Sequence, residues 1–146
     1  MSARVERALD GLCQGVHHVA IAVPSLAEAR KTWIETLGLV ETAVEHVADQ
    51  KVNVLVAYAG TQRIELVEPA ASDSPIAGFL EKHGGGLHHV ALRVTDVTRA
   101  LERLKGAGMR LIDEAPRPGA HGTRIAFVHP KSAGGVLVEL VEEVRR

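Results

Sequence analysis

Aromatic side chains are scarce, with one Trp, one Tyr and two Phe making up 3% of 146 residues. A binding cleft walled by stacked rings is therefore a poor expectation. Cysteine is scarcer still: Cys13 alone excludes an internal disulfide and suits a reducing cytosol. Net charge is −1, the pI is about 6.7, and like charges form no block, so nucleic acid and membrane surfaces are not expected partners. The longest purely apolar run, Val54 to Ala59, is far shorter than a membrane span. The first residues carry charges throughout and have no apolar signal core, so a cytoplasmic protein is expected.

What the chain does have is a repeated stretch. Residues 15–23 read GVHHVAIAV and residues 86–94 read GLHHVALRV, identical at six of nine places and 71 residues apart. A duplicated strand with a duplicated His pair suggests two like modules building one site. Successive side chains of a strand point to opposite faces. His17 is in phase with Val19, Ile21 and Val23, an apolar row suited to packing under a helix. His18 shares its face with Ala20 and Ala22, and His89 with Ala91 and Arg93. His18 and His89 are the candidates for an open concave face, and Arg93 is placed to pair with an acid there.

The remaining elements follow the same doubling. Residues 2–13 have Val5, Ala8, Leu9 and Leu12 on one side and predict a helical arm. Ser25 and Glu28 form a capping box for a helix running to Gly38, followed by strands near 39–46, 51–58 and 63–67. Ser74-Pro75 starts a linker helix of about 74–83. Asp96 caps a helix over Val97 to Leu104, and strands are expected at 109–112, 124–129 and 136–141. Each half reads β-α-β-β-β, module one spanning about 15–70 and module two about 86–143 of a single domain over 1–146. The glycine-rich loop 116–122 is a candidate gate.

Each module also ends in a strand with one acid among apolar residues. Glu65 lies opposite Ile64 and Leu66, and Glu139 lies opposite Val138 and Leu140. The acids repeat with the histidines, 47 residues after His18 and 50 after His89. A carboxylate on a half-apolar strand is costly unless it is paired or bound to metal. Two imidazoles and two carboxylates suit a borderline divalent ion such as Co²⁺, Ni²⁺, Mn²⁺ or Zn²⁺. The expected ligands are thus His18, Glu65, His89 and Glu139, leaving room for a chelating substrate.

A doubled β-α-β-β-β chain with one His and one acid per module resembles the vicinal oxygen chelate superfamily, the glyoxalase/bleomycin-resistance-like fold. That resemblance implies an α+β domain in which two modules form a cupped mixed sheet around a divalent metal. More narrowly, the sequence is similar to the methylmalonyl-CoA epimerase family. The matching words are HVAIAV from His18, QKV from Gln50, ELVEP from Glu65, DSPIA from Asp73, GLHH from Gly86, PRPGAHG from Pro116, and HPKS from His129 with GGVLVEL from Gly134. They cover about residues 15–142.

The resemblance implies an isomerase that interconverts (2R)- and (2S)-methylmalonyl-CoA by metal-assisted proton transfer at C2 through an enediolate. It further implies Co²⁺ as the leading ion, an acyl-CoA substrate and a homodimer. Glu139 matches the family residue regarded as both ligand and base. Well-known bacterial members carry a second glutamate where Val54 aligns, and Val54 cannot move a proton. The position of Glu65 is glutamine in some members and glutamate in others. Glu65 can therefore replace the missing acid, with His121 on the gate loop as the alternative. Lys131 and Ser132, in a glycine-flanked loop, are candidates to meet the thioester arm or a phosphate, or form a solvated turn.

Three other readings share the fold. A lactoylglutathione lyase uses a comparable ligand set but typically a DPDG-like turn where this chain has HPKSAGG. An iron extradiol dioxygenase has one carboxylate in its triad. A non-catalytic small-molecule binder usually lacks the metal quartet and lines its cleft with aromatics, which are few here.

Overall fold

The computed structural model describes residues 7–144. Eight strands form one curled mixed sheet in the order β2-β3-β4-β1-β5-β8-β7-β6. The strands are β1 (Cys13–Ala22), β2 (Val40–Val47), β3 (Val52–Ala59), β4 (Gln62–Pro69), β5 (Gly86–Val94), β6 (Arg117–Pro118), β7 (Arg124–Val128) and β8 (Val138–Glu142). Three helices accompany them: α1 (Leu26–Arg30), α2 (Pro75–His83) and α3 (Val97–Gly106). The order reads the same from either edge, an outer hairpin, then a strand parallel to the inner one. β1 pairs in parallel with β4, β5 with β8, and the two inner strands run antiparallel down the middle.

Strand alternation separates a helix-covered side from a concave side. Leu66 and Leu55 are fully buried beside Val23 and Leu26, under α1. Leu140 and Ala126 pack with Val97, Ala100, Leu101 and Leu104 of α3, whose apolar stripe has helical spacing. The neighbours out of phase point the other way: Val54, Val56 and Val67 with Ile76 from α2, and Ile125, Phe127 and Val141 in the second half.

Local chemistry explains the helix ends. Ser25 Oγ accepts from Glu28 N at 3.3 Å, and Asp96 Oδ1 from Arg99 N at 3.0 Å. The reciprocal half of the expected capping box is replaced, because Glu28 pairs with Lys31 and Glu68 accepts the Leu26 N–H at 2.8 Å. After Arg30 the helix widens into a π-helical stretch, Lys31–Thr36, before Gly38 turns the chain at φ 83°. Gly84, at φ 76°, ends α2 in the left-handed region that favours glycine.

Four expectations need correction. The N-terminal arm is not helical where it is described: residues 7–12 make turns, and residues 2–6 lie outside the described residues. Cys13 opens β1, and Leu12, 3% exposed, packs with Ala8 and Leu9 into the α3 core. The strand expected at 109–112 is reduced to one bridge, Leu111 to Val128. It stays beside the end of β7, while the start of β7 is paired by Arg117–Pro118 from the loop that sequence alone marked as irregular. β8 begins at Val138 rather than Val136, because glycines 134 and 135 adopt positive φ and hold the chain in a turn.

Because Leu55 is fully buried between the sheet and α1, Leu55→Ala should cost about 2–5 kcal/mol. Urea unfolding should show a lower midpoint with an unchanged slope; a loss under 1 kcal/mol would contradict this packing.

Candidate active site

The cavity opens on the concave side where the two inner strands meet. Across the sheet, Ala20 of β1 stands between Glu65 of β4 and His89 of β5, and Ala91 of β5 stands between His18 of β1 and Glu139 of β8. Small alanines in register leave space for the longer side chains around them. All four candidate groups are buried, from 4% exposed for His18 to 8% for His89.

Three donor atoms converge. His18 Nε2 and His89 Nε2 are 3.2 Å apart, and each lies 3.1 Å from Glu139 Oε1. Metal bonds of about 2.1 Å place adjacent donor atoms of an octahedron about 3.0 Å apart and those of a tetrahedron about 3.4 Å apart. The observed edges fall between the two. Glu139 Oε1 is also buried with no aligned hydrogen-bond partner, an orphaned oxygen that a cation would satisfy. The donor set fits a divalent ion.

Glu65 approaches from another side. Its Oε2 is 3.2 Å from His18 Nδ1, the ring nitrogen facing away from the convergence point, and it forms a second cluster with His17 and His18. The two carboxyls differ in acidity for physical reasons. Burial raises the Glu65 carboxyl, opposed by His18 and reinforced by the charge of Glu139. Burial also opposes ionisation of Glu139, but its contacts with His18 and His89 outweigh it and hold that carboxyl at about 2.

His17 and His88 are the residues that strand alternation misplaced. The β1–β5 pairing skips a residue at His17 and another at His88, so each His pair sits at a β-bulge. A bulge re-aims the inserted side chain. Both rings consequently turn to the cavity wall, where burial lowers their pKa to about 4, helped by His18 and Arg63 for His17 and by His89 for His88. Both are therefore neutral at neutral pH. The repeat of a full HH dipeptide, rather than one His, was the available signal.

Arg63 was not singled out by sequence either. Its Nη1 lies 3.0 Å from His17 Nε2 and its Nη2 donates to Tyr58 Oη at 3.1 Å. Arg93 does not reach the quartet; its Nε lies 2.6 Å from Glu143 Oε1 at the outer end of β5.

The walls of the cavity, about 190 Å³, are mostly apolar and include Val54, Val67, Ile76, Ile125 and Phe127. Val54, 4% exposed, lies two residue pairs along the β3–β4 ladder from Glu65 and faces the same way. The candidate gate crosses the rim. Arg117 lines the cavity and binds Asp49 at 2.9 Å and Asp113 at 3.2 Å. His121 does not line it: its backbone N–H donates to Glu45 at 2.6 Å and its ring faces the same carboxylate. Lys131 and Ser132 form an outer 3₁₀ turn, where Ser132 Oγ accepts from Arg110 N at 2.7 Å and Lys131 is exposed. The structure thus gathers His18, His89, Glu139 and Glu65, and leaves His121, Lys131 and Ser132 outside the cavity wall.

The profile of the Glyoxalase/Bleomycin resistance protein/Dioxygenase superfamily matches residues 17–127. An ethylmalonyl-CoA/methylmalonyl-CoA epimerase of Cereibacter sphaeroides is 44% identical over 127 residues, 86% of this chain and 95% of that protein. This chain belongs to the methylmalonyl-CoA epimerase family. Among solved structures, the methylmalonyl-CoA epimerase of Mycobacterium tuberculosis superposes with a TM-score of 0.87 at 37% identity, covering 99% of this chain and 94% of that one. A Streptomyces coelicolor methylmalonyl-CoA epimerase variant in complex with 2-nitronate-propionyl-CoA gives 0.85 at 30% identity, covering 91% and 99%. Epimerase-family membership is thus carried by the whole sheet and its cavity rather than by one motif.

If the three converging atoms form a metal point, His89→Ala removes one third of it and leaves Glu139 without its second imidazole. Elemental analysis of the folded variant, checked by circular dichroism, should show most of the bound divalent ion gone. Full occupancy in that variant would contradict the assignment.

Proposed function

We propose that the chain is an epimerase of methylmalonyl-CoA that exchanges the C2 proton from two sides. The observation that carries this reading is positional. Glu65 and Glu139 stand on the two strands that flank the β1–β5 pair, in equivalent register with Ala20 and Ala91, so carboxyls face the cavity from both flanks. Inversion at a carbon requires a proton to leave on one face and arrive on the other, and two acid–base groups flanking one pocket meet that need.

The C2 proton lies between a thioester and a carboxylate. A divalent ion held by His18, His89 and Glu139 would supply electrophilic stabilisation of the oxygen charge that develops as C2 loses its proton, while Glu65, expected as the fourth ligand, stands at His18 Nδ1. Co²⁺ is the ion we favour over Ni²⁺, Mn²⁺ and Zn²⁺, all of which accept imidazole and carboxylate. With Oε1 of Glu139 committed to the convergence point, proton transfer on that flank falls to its Oε2. Glu65, on His18's far side, holds or gives the proton on the other. Val54, Ile76 and Phe127 exclude water, which strengthens each charge interaction in the cavity. His121, turned to Glu45, takes second place as an acid–base candidate.

The acyl carrier extends past the rim, since the cavity itself is small. Lys131, exposed near that outer surface, is a candidate for a phosphate, and Ser132 for the thioester arm. A cytoplasmic homodimer remains part of this proposal. The four cavity groups all come from one chain, so their chemistry does not need the partner.

Parallel assays decide between this function and glyoxalase-type isomerisation. Methylmalonyl-CoA epimers should be interconverted with clear preference over the methylglyoxal–glutathione adduct; the reverse preference would contradict the proposal. The second acid–base group has its own test. Glu65→Gln should keep metal, because the three converging atoms of His18, His89 and Glu139 are untouched, yet lose about 10²–10⁴-fold in turnover. Adding Val54→Glu to that variant should recover activity, since the new carboxylate enters the same face of the sheet. Parental turnover in Glu65→Gln would leave Glu65 with no role in proton transfer.

A further inference from the structure

The two histidine pairs are alike inside and different at their ends. Within each pair the Nδ1 atoms face one another, at 2.7 Å for His17 and His18 and 2.8 Å for His88 and His89. Such a contact needs one donor and one acceptor, and a neutral imidazole has one N–H and one lone pair. The outer nitrogen of His17, Nε2, meets Arg63 Nη1 at 3.0 Å. A guanidinium can only donate. His17 Nε2 therefore accepts, His17 carries its proton on Nδ1, and His18 Nδ1 accepts from it.

The consequence runs onward through the cavity. His18 is left with its proton on Nε2, 3.2 Å from His89 Nε2, which accepts it; Glu139 Oε1 is as near but not aligned to accept. His89 then keeps its proton on Nδ1 and donates to His88. One obligate donor sets four tautomers in turn. A metal point needs lone pairs on Nε2 of both His18 and His89. His89 already has one, and His18 does not.

We infer that Arg63 is a positioning residue that acts through His17 to hold His18 in the tautomer unable to ligate. Loading the site makes His17 and His18 exchange tautomers, while His88 and His89 keep theirs. This rests on the ligand point proposed above. New partners for the exchanged protons are at hand. Glu65 Oε2, 3.2 Å from His18 Nδ1, accepts a hydrogen bond from the proton moved there. Glu143 Oε1, 4.0 Å from His17 Nε2, is the acceptor at the other end, and Arg63 Nη1 has Glu65 Oε2 at 4.0 Å. No proton is gained or lost by the four rings. Metal-ligating histidines are generally oriented by the hydrogen bond on their other nitrogen, so control by a neighbour is expected to show in affinity.

Long-range ¹⁵N–¹H spectra of the histidine rings, recorded on the metal-free protein and with Zn²⁺ as a diamagnetic probe, test this directly. The metal-free form should show His17 protonated at Nδ1 and His18 at Nε2, and zinc should reverse both without altering His88 or His89. Arg63→Met should free the metal-free tautomers and tighten zinc about two- to tenfold, the range one net hydrogen bond is worth. Arg63→Lys, still an obligate donor, should keep the parental tautomers. Zinc bound through His18 and His89 with His17 unchanged would overturn the inference alone. Zinc that leaves the Nε2 signals of His18 and His89 unmoved would overturn the ligand point and the inference together. Should Arg63→Met not fold, the parental spectra decide.

Discussion

The antiparallel pairing of β1 with β5 is the constraint on which the cavity depends. It is the seam between the inner strands of the two halves, and its register puts His18 across from Ala91 and Ala20 across from His89. Each parallel neighbour then adds a carboxylate beside an alanine. A slip of one residue in this ladder would turn the side chains of the slipped strand to the helix side. Register is held by the buried faces on both sides of the sheet, with Leu66 and Leu140 fully buried one residue after the two acids.

Burial sets the electrostatics that follow. A single carboxylate or imidazolium buried without a partner costs several kcal/mol, whereas groups that neutralise one another or share a cation recover much of it. Four ionisable groups less than a tenth exposed are therefore tolerable only because they meet. The same arrangement drives the two carboxyls apart in acidity, Glu65 up through burial and Glu139 down through its imidazole contacts. Paired titratable groups with opposed environments are the usual mark of an acid–base site. The Arg63–His17 contact adds an asymmetry that the sheet itself lacks, since module two has Leu137 two residues before its acid, where module one has Arg63.

Much of this was legible in the residues. The nine-residue repeat and the phase of Glu65 and Glu139 against Leu66 and Leu140 place the four groups on one face without any structure. Helix caps at Ser25, Ser74 and Asp96 were equally plain. Three things were not. The bulges at His17 and His88 depend on how two strands pair, and pairing leaves no trace in either strand's own sequence. The strand expected at 109–112 has apolar residues of the right kind, but its backbone hydrogen bonds are divided among Leu104, Phe127, His129 and the Ser132 side chain, and Arg117–Pro118 pairs with the start of β7. The direction of His121 was also hidden, because its left-handed backbone, at φ 57°, and the Glu45 contact across the cavity rim are tertiary facts.

The central claim is that two separate groups serve the two faces of C2. Early-time isotope labelling in D₂O with the parental protein tests it most directly, starting in turn from each pure epimer. Two separate groups predict that the first product formed carries solvent deuterium at C2, while recovered starting epimer stays mostly unlabelled, in both directions. Product that retains the original protium would mean one group carries the proton across, and would contradict the account.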